Sequence, residues 1–233
     1  MRHLINVNRV LQYVKKKRPK LVYHKLTPPL RLIAISDSAF RAQEHDGLAV
    51  RGCFLLLIEG KREDSPGGKC MMLDYCSRKQ SHVTRATFMA ELFALLDAYG
   101  SAVKVLACLT ECEWGTASAG DLLSRYEKNA LCYELHVVID AKSILECVRN
   151  TKQVKPTDES LSLHILRLIE LCKAGRISAL WWVDTRDMVS DALTKGSIPR
   201  TAIDAVVEQG MWDVHFPAER YSADVTNSST DNE

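Results

Sequence analysis

Four carboxylates stand where local structure gives no reason for them: Asp37, Glu91, Asp140 and Asp191. Asp37 lies near the end of a predicted strand, and Asp140 ends a short apolar one. Glu91 follows Phe88 by three positions and precedes Leu95 by four, so it projects from the apolar side of a predicted long helix. Asp191 stands where the last helix begins. Strand ends of a mixed sheet are where sites form, and a helix across the sheet can bring Glu91 to the same place. Acids gathered there repel one another and resist burial unless cations join them. Oxygen-only donors select hard cations, here Mg²⁺ or Mn²⁺. Two such ions about 4 Å apart can activate a water and stabilise the leaving oxygen of a phosphodiester. Each acid also has a simpler role: Asp37 as a turn residue, Asp140 as a helix N-cap, Asp191 as a complement to a helix dipole. Glu91 is the hardest to explain that way. Asp184 and Asp187, close to Asp191 in "WWVDTRDMVSDALTKG", are expected to shape the turn after the last strand.

The elements that must position these acids follow from hydrophobic periodicity. "PPLRLIAISDSAF" (28–40) alternates, with Leu32, Ala34 and Ser36 on one face and Ile33, Ile35 and Asp37 on the other. "GLAVRGCFLLLIEG" (47–60) and "CMMLDYCSRKQ" (70–80) continue an antiparallel meander across the turn 61–69. Residues 83–112 carry apolar side chains at helical spacing and predict one long helix. A second helix is expected at 121–134, then a short parallel-type strand, "LHVVID" (135–140). Helices over "AKSILECVRN" and 159–175, set apart by Pro156, precede the last strand, 177–184, and the helix opened by "VSDALTKG". The expected class is α/β, a mixed sheet with helices packed on it.

Charge is unevenly distributed. Residues 1–31 contain nine Lys or Arg and no acid, while 32–217 carry a net charge close to −4. A basic arm beside a mildly acidic body suits a protein that meets a polyanion and also holds cations. The arm reads as an amphipathic helix ending in Lys15, Lys16, Lys17, Arg18 and Lys20, stopped by Pro19. Those cations suit phosphate contacts, nuclear localisation, or simply a helix C-terminus. Eight cysteines without a C-x-x-C pair predict a reducing, intracellular setting, with neither a disulfide framework nor a zinc site. No signal peptide is expected, and no apolar run reaches the roughly 18 residues that span a bilayer.

At these residues the chain resembles the ribonuclease H domain of copia-type (LTR) retrotransposon reverse transcriptases. That family has an "SDAD"-like strand end, a "WSSKKQ" strand, a "TEAE" helix, a "DNQSA" strand–helix junction and a final "ADILTK". The corresponding stretches here are "SDSAF", "YCSRKQ", "TFMAEL", "IDAKSI" and "VDTRDMVSDALTKG", in the same order. "VNRVLQYVKKK" is similar to the segment joining polymerase and ribonuclease H. The resemblance covers roughly residues 5–200. It implies a ribonuclease H-like mixed five-stranded sheet, three antiparallel strands then parallel ones, flanked by helices. It also implies a basic connecting segment (1–29), a ribonuclease H-like domain (30–200) and a C-terminal extension (201–233), which the polar, small composition of "SADVTNSSTDNE" predicts to be disordered from about 218.

By the same matching, Asp37, Glu91, Asp140 and Asp191 take the metal-binding and catalytic positions, holding two Mg²⁺ ions, with Mn²⁺ as substitute. The implied reaction is hydrolysis of the RNA strand of an RNA–DNA hybrid, leaving 5′-phosphate and 3′-hydroxyl ends. The basic arm, with Lys79, Gln80 and Lys142, would contact the hybrid through phosphates and shape. No small-molecule cofactor or membrane is implied; the polymerase part of the same Pol polyprotein is the implied protein partner. Three features depart from the family: Met89 replaces an additional Glu, the interval from Glu91 to Asp140 is long, and no His lies between 165 and 190. His164 sits in an apolar helical pattern and is expected to be structural. With no Asp-Asp pair or polymerase palm, the chain is expected to be a polyprotein piece or a truncated genomic remnant. The competing expectation is a catalytically inactive ribonuclease H-fold module for nucleic-acid binding or assembly.

Overall fold

Alternating strand sequences and one long apolar helix build a sheet covered on both faces. The computed structural model describes residues 2–18, 20–39, 48–60, 63–83, 86–150, 159–195 and 198–223. Its strands are β1 (Leu30–Ala39), β2 (Leu48–Glu59), β3 (Gly68–Val83), β4 (Glu134–Ile139), β5 (Ala179–Trp182), β6 (Met211–Trp212) and β7 (Glu219–Tyr221). Its helices are α1 (Arg2–Lys17), α2 (Thr87–Trp114), α3 (Ala119–Glu127), α4 (Lys142–Arg149), α5 (Glu159–Lys173), α6 (Asp191–Thr194) and α7 (Thr201–Asp204). The strand order is β6-β3-β2-β1-β4-β5-β7. β1, β2 and β3 pair antiparallel, β1–β4 and β4–β5 parallel, and both edge strands antiparallel. The protein is thus an α/β protein with a seven-stranded mixed sheet, two strands more than expected.

Period-2 alternation divides the core into two layers. Leu32, Ala34, Leu55, Val137 and Leu180 pack with Leu92, Leu95 and Leu168 of α2 and α5. Ile33, Ile35, Phe54, Val138 and Trp181 pack on the other face with Met188, Val189, Val206 and Trp212. Val206 and Trp212 are 1% and 2% exposed. Burial on that scale stabilises by roughly 1.5–3 kcal/mol per large apolar side chain. The C-terminal segment therefore covers one face of the sheet instead of extending beyond the domain. Disorder from about 218 does not hold for Glu219–Tyr221, which pairs with β5; residues 224–233 lie outside the described set, as do Pro19 and Pro156.

Four further expectations are corrected. The helix placed at 121–134 ends at Glu127, because Asn129 adopts a left-handed conformation (φ 52) that an α-helix does not continue through. β3 runs on to Val83, so the long helix begins only at Thr87. That helix is, by length and composition, apolar enough to cross a membrane, contrary to the sequence reading; here Ala90, Leu92, Leu95, Ala98 and Leu106 are buried in the core. Arg31, counted with the basic arm, is 2% exposed. Its guanidinium donates to the carbonyls of Ser65 and Pro66 and holds the β2–β3 turn. The rest of the arm matches its reading: α1 exposes Leu4, Val7, Val10 and Leu11, and ends in exposed Lys15, Lys16 and Lys17.

Candidate metal centre

At the carboxyl ends of β1 and β4 the two packing layers meet, and three acids converge there. Asp37, Glu91 and Asp140 each place a carboxylate oxygen within 4.8 Å of the others. Asp37 is the eighth residue of β1, on the face of Ile33 and Ile35. Glu91 enters from α2, which covers the opposite face, and Asp140 directly follows β4. Asp37 and Glu91 are 1% and 5% exposed.

Each carboxylate has one oxygen held by a hydroxyl. Ser38 donates to Glu91 Oε1 from its backbone N–H (3.2 Å) and its hydroxyl (2.9 Å). Thr185 donates to Asp140 Oδ2 at 3.0 Å, and Thr194 donates to Asp37 Oδ2. Glu91 Oε2 is buried and has no hydrogen-bond partner. A buried carboxylate oxygen without a donor carries its full desolvation cost, unless a cation supplies the missing interaction. The second oxygens are thus oriented by a supporting shell of the kind that positions metal ligands.

The electrostatics agree. Burial, reinforced by Asp37 and Asp140, pushes the Glu91 carboxyl up to about 8, against the opposing pull of Ser38. Burial likewise raises Asp37 to about 7, with Asp191 and Asp140 adding and Thr194 and Lys195 opposing. Asp140 is also raised, by burial first and then by Asp191, with Thr185 opposing. Without a cation, this cluster favours holding protons near neutrality.

Asp191, the fourth expected ligand, is 3% exposed and belongs to the same electrostatic group, but stands outside the close trio. Its Oδ1 accepts from Lys195 Nζ at 2.6 Å, and the same ammonium lies 3.9 Å from Asp37 Oδ1. α6 can deliver these residues because Gly52 faces Asp37 across the β1–β2 ladder. A Cβ on Gly52 would meet Thr194 Cγ2 at 2.9 Å and Ser190 O at 3.0 Å, so only glycine lets the helix approach this closely.

The other expected contacts separate. Lys15, Lys16, Lys17, Arg18, Lys20, Lys79 and Lys142 are exposed. Gln80 is not: at 3% exposure it donates to Ala90 O and secures the start of α2, which removes it from any surface contact. Lys142 pairs with Glu219 and stacks over the Trp182 ring, 4.9 Å from its centroid. His164 packs edge-on against Phe93, a structural role as expected. Asp184 caps the turn after β5 through Arg186 N–H, also as expected. Asp187 does more than turn the chain: it is buried and accepts from the backbone N–H groups of His215 and Phe216, anchoring the C-terminal segment.

Sequence reasoning missed Ser38, Thr185, Thr194, Lys195 and Gly52. Lys195 alone had a signal, its i,i+4 spacing from Asp191 at a helix start. Fold and site define an α/β protein with a buried three-carboxylate cluster at the strand ends of a mixed sheet. Compared with protein-family models and with curated proteins, the chain matches none of either.

Proposed function

We propose that this chain is a divalent-ion-dependent endonuclease acting inside the cell on the RNA strand of RNA–DNA hybrids, in the manner of the ribonuclease H domains it resembles. The observation that carries the reading is the trio Asp37, Glu91 and Asp140, with carboxylate oxygens within 4.8 Å of one another and Glu91 Oε2 buried and unpartnered. The arrangement of β3-β2-β1-β4-β5, three antiparallel strands followed by two parallel ones, supports it, since that resemblance implies such a sheet. Three carboxylates and no nitrogen or sulfur donor suit Mg²⁺ or Mn²⁺.

When bound, the ion would offset phosphate charge and lower the pKa of an attacking water. The protein's own residues prepare the place. Ser38, Thr185 and Thr194 fix the carboxylates, so that the donors are set before the ion arrives. Asp191 adds negative charge beside Asp37 and Asp140. The exposed cations Lys15, Lys16, Lys17, Arg18 and Lys20 would bind backbone phosphates, with affinity that falls as salt rises. Lys79 and Lys142 are also exposed and would add to the contacts with the hybrid, Lys142 from its pair with Glu219. The polymerase portion of a Pol polyprotein is the protein partner the same reading proposes.

The test is cleavage of a labelled RNA–DNA hybrid with Mg²⁺, beside Asp140→Asn. Cleavage that requires the ion and falls at least about 100-fold in the variant is expected, as for loss of one member of a charge-stabilising constellation. A second reading is an inactive nucleic-acid-binding or assembly module on the same fold, favoured by Lys195, whose ammonium already engages Asp191. Hybrid binding without cleavage by both proteins, with Mn²⁺ as well as Mg²⁺, would establish that reading and overturn the first.

A further inference from the structure

Lys195 is placed among acids by its backbone as well as its side chain. Its N–H donates to Asp191 O at 2.8 Å, closing the single turn of α6. Its ammonium then reaches Asp191 Oδ1 at 2.6 Å, with Asp37 Oδ1 3.9 Å away. Asp37 is therefore shared. On one side it joins Asp140 and Glu91, whose Oε2 is unpartnered. On the other it faces Asp191 across a cation that the chain itself supplies. Two carboxylates facing one small positive charge is what a second divalent ion would require, and an ammonium already meets that requirement.

We infer that the Lys195 ammonium takes the place of a second divalent ion between Asp37 and Asp191, so that the cluster binds a single Mg²⁺ or Mn²⁺ at Asp37, Glu91 and Asp140. The inference rests on the metal-ion reading of this cluster and concerns the ions bound without nucleic acid, since the "ADILTK" of the two-ion family carries a lysine at the place of Lys195. Charge supports it. One divalent ion and Lys195 together bring +3 to four carboxylates that carry −4 when ionised. A second divalent ion beside the ammonium would bring +5 and place like charges within a few ångströms. Removing Lys195 would leave Asp37 and Asp191 without their cation and free to take another ion.

The experiment counts Mn²⁺ bound per full-length chain, without nucleic acid, by equilibrium dialysis and by the electron paramagnetic resonance of free Mn²⁺. Wild type is expected to bind one ion, with any second at least 100-fold weaker. Lys195→Met and Lys195→Gln are expected to bind two of comparable affinity, and Lys195→Arg one. Two comparable ions in wild type would overturn the inference, even if neither neutral variant folds. So would a single ion in folded Lys195→Met and Lys195→Gln. No Mn²⁺ in wild type, or binding indifferent to Glu91→Gln, would sink the metal reading and the inference together. One ion in wild type and two in Lys195→Met, with no cleavage of hybrid by wild type, would sink the hydrolase reading and leave the inference standing.

Discussion

Asp187 and Asp191 are one helical turn apart in sequence, both nearly inaccessible, and their surroundings could hardly differ more. Asp187 Oδ2 accepts from two backbone N–H groups, at 3.0 Å from His215 and 2.8 Å from Phe216. Its Oδ1 lies 3.2 Å from the His215 ring, and its carbonyl accepts from Trp212 Nε1. All four of these contacts go to the segment that covers one face of the sheet. Asp191 instead joins a group of acids whose attachments come from three hydroxyls, one backbone N–H and one ammonium, with Glu91 Oε2 left over. A buried carboxylate surrounded by donors holds structure together. Carboxylates buried against one another, with a donor short, could hold a cation.

The comparison can be broken in order of expected effect. Asp187→Ala should cost about 3 kcal/mol of stability in denaturant unfolding, because it leaves the backbone N–H groups of His215 and Phe216 unpaired. Mn²⁺ affinity of the molecules that remain folded should change little. Equal losses of stability and ion binding would show that the two acids are not separate devices.

Gly52→Ala should cost about 2 kcal/mol through overpacking against Thr194 and Ser190. It should also weaken Mn²⁺ binding by displacing α6, which isothermal titration would read. Unchanged binding would mean that α6 does not support the site.

Asp37→Asn should act in the opposite sense, raising stability of the metal-free protein by on the order of 1 kcal/mol as it relieves crowding among acids. Ion binding should be lost in the same variant. A destabilised Asp37→Asn would contradict the account of the cluster.

The same cluster sets a pH dependence. Glu91 and Asp37 are raised to about 8 and about 7, so the folded state binds more protons than the unfolded one above the ordinary carboxyl range. Their contribution to stability is complete below about pH 4 and is lost as pH rises through about 7 to 8. Melting temperature of the metal-free protein should therefore fall across that interval, and saturating Mg²⁺ should flatten the fall. The acids held below their ordinary values by exposed partners, Glu59, Asp121, Asp184 and Glu219, act in the opposite direction and only at lower pH. A melting temperature that rises between pH 5 and 8 without metal would refute this reading.

Much of the frame was legible. β1 alternates cleanly, so the separation of Asp37 from Ala34 and Ser36 could be read from parity, and both core layers follow it. α2 announced itself by apolar spacing over 28 residues, and Glu91 stood out because an acid on such a face needs a reason. The edge strands were not legible: β6 has two residues and β7 three, too short for any period to register. Gln80 was misread because a polar residue in an exposed-looking strand gives no sign that a helix start will fold over it. Asn129, read as helix interior, carried the correct signal, since Asn readily takes the left-handed conformation that ends a helix.

The amino-acid sequence by itself determined the four acids, the elements that carry Asp37, Glu91 and Asp140, the basic end of α1 and the alternation that gives the sheet two covered faces. These are local properties: a period of two or 3.6 residues, a charge run, a carboxylate where an apolar side chain is due. Only the tertiary structure decided that three acids from β1, α2 and β4 come within 4.8 Å, and that Asp191 stands apart beside Lys195. It also separated Asp187, an anchor, from Asp191, a charge in the cluster. Which donor reaches which oxygen depends on Gly52 admitting α6 and on distant segments meeting at one sheet end. No spacing along the chain encodes those distances, because they are set by how two layers close over the same strands.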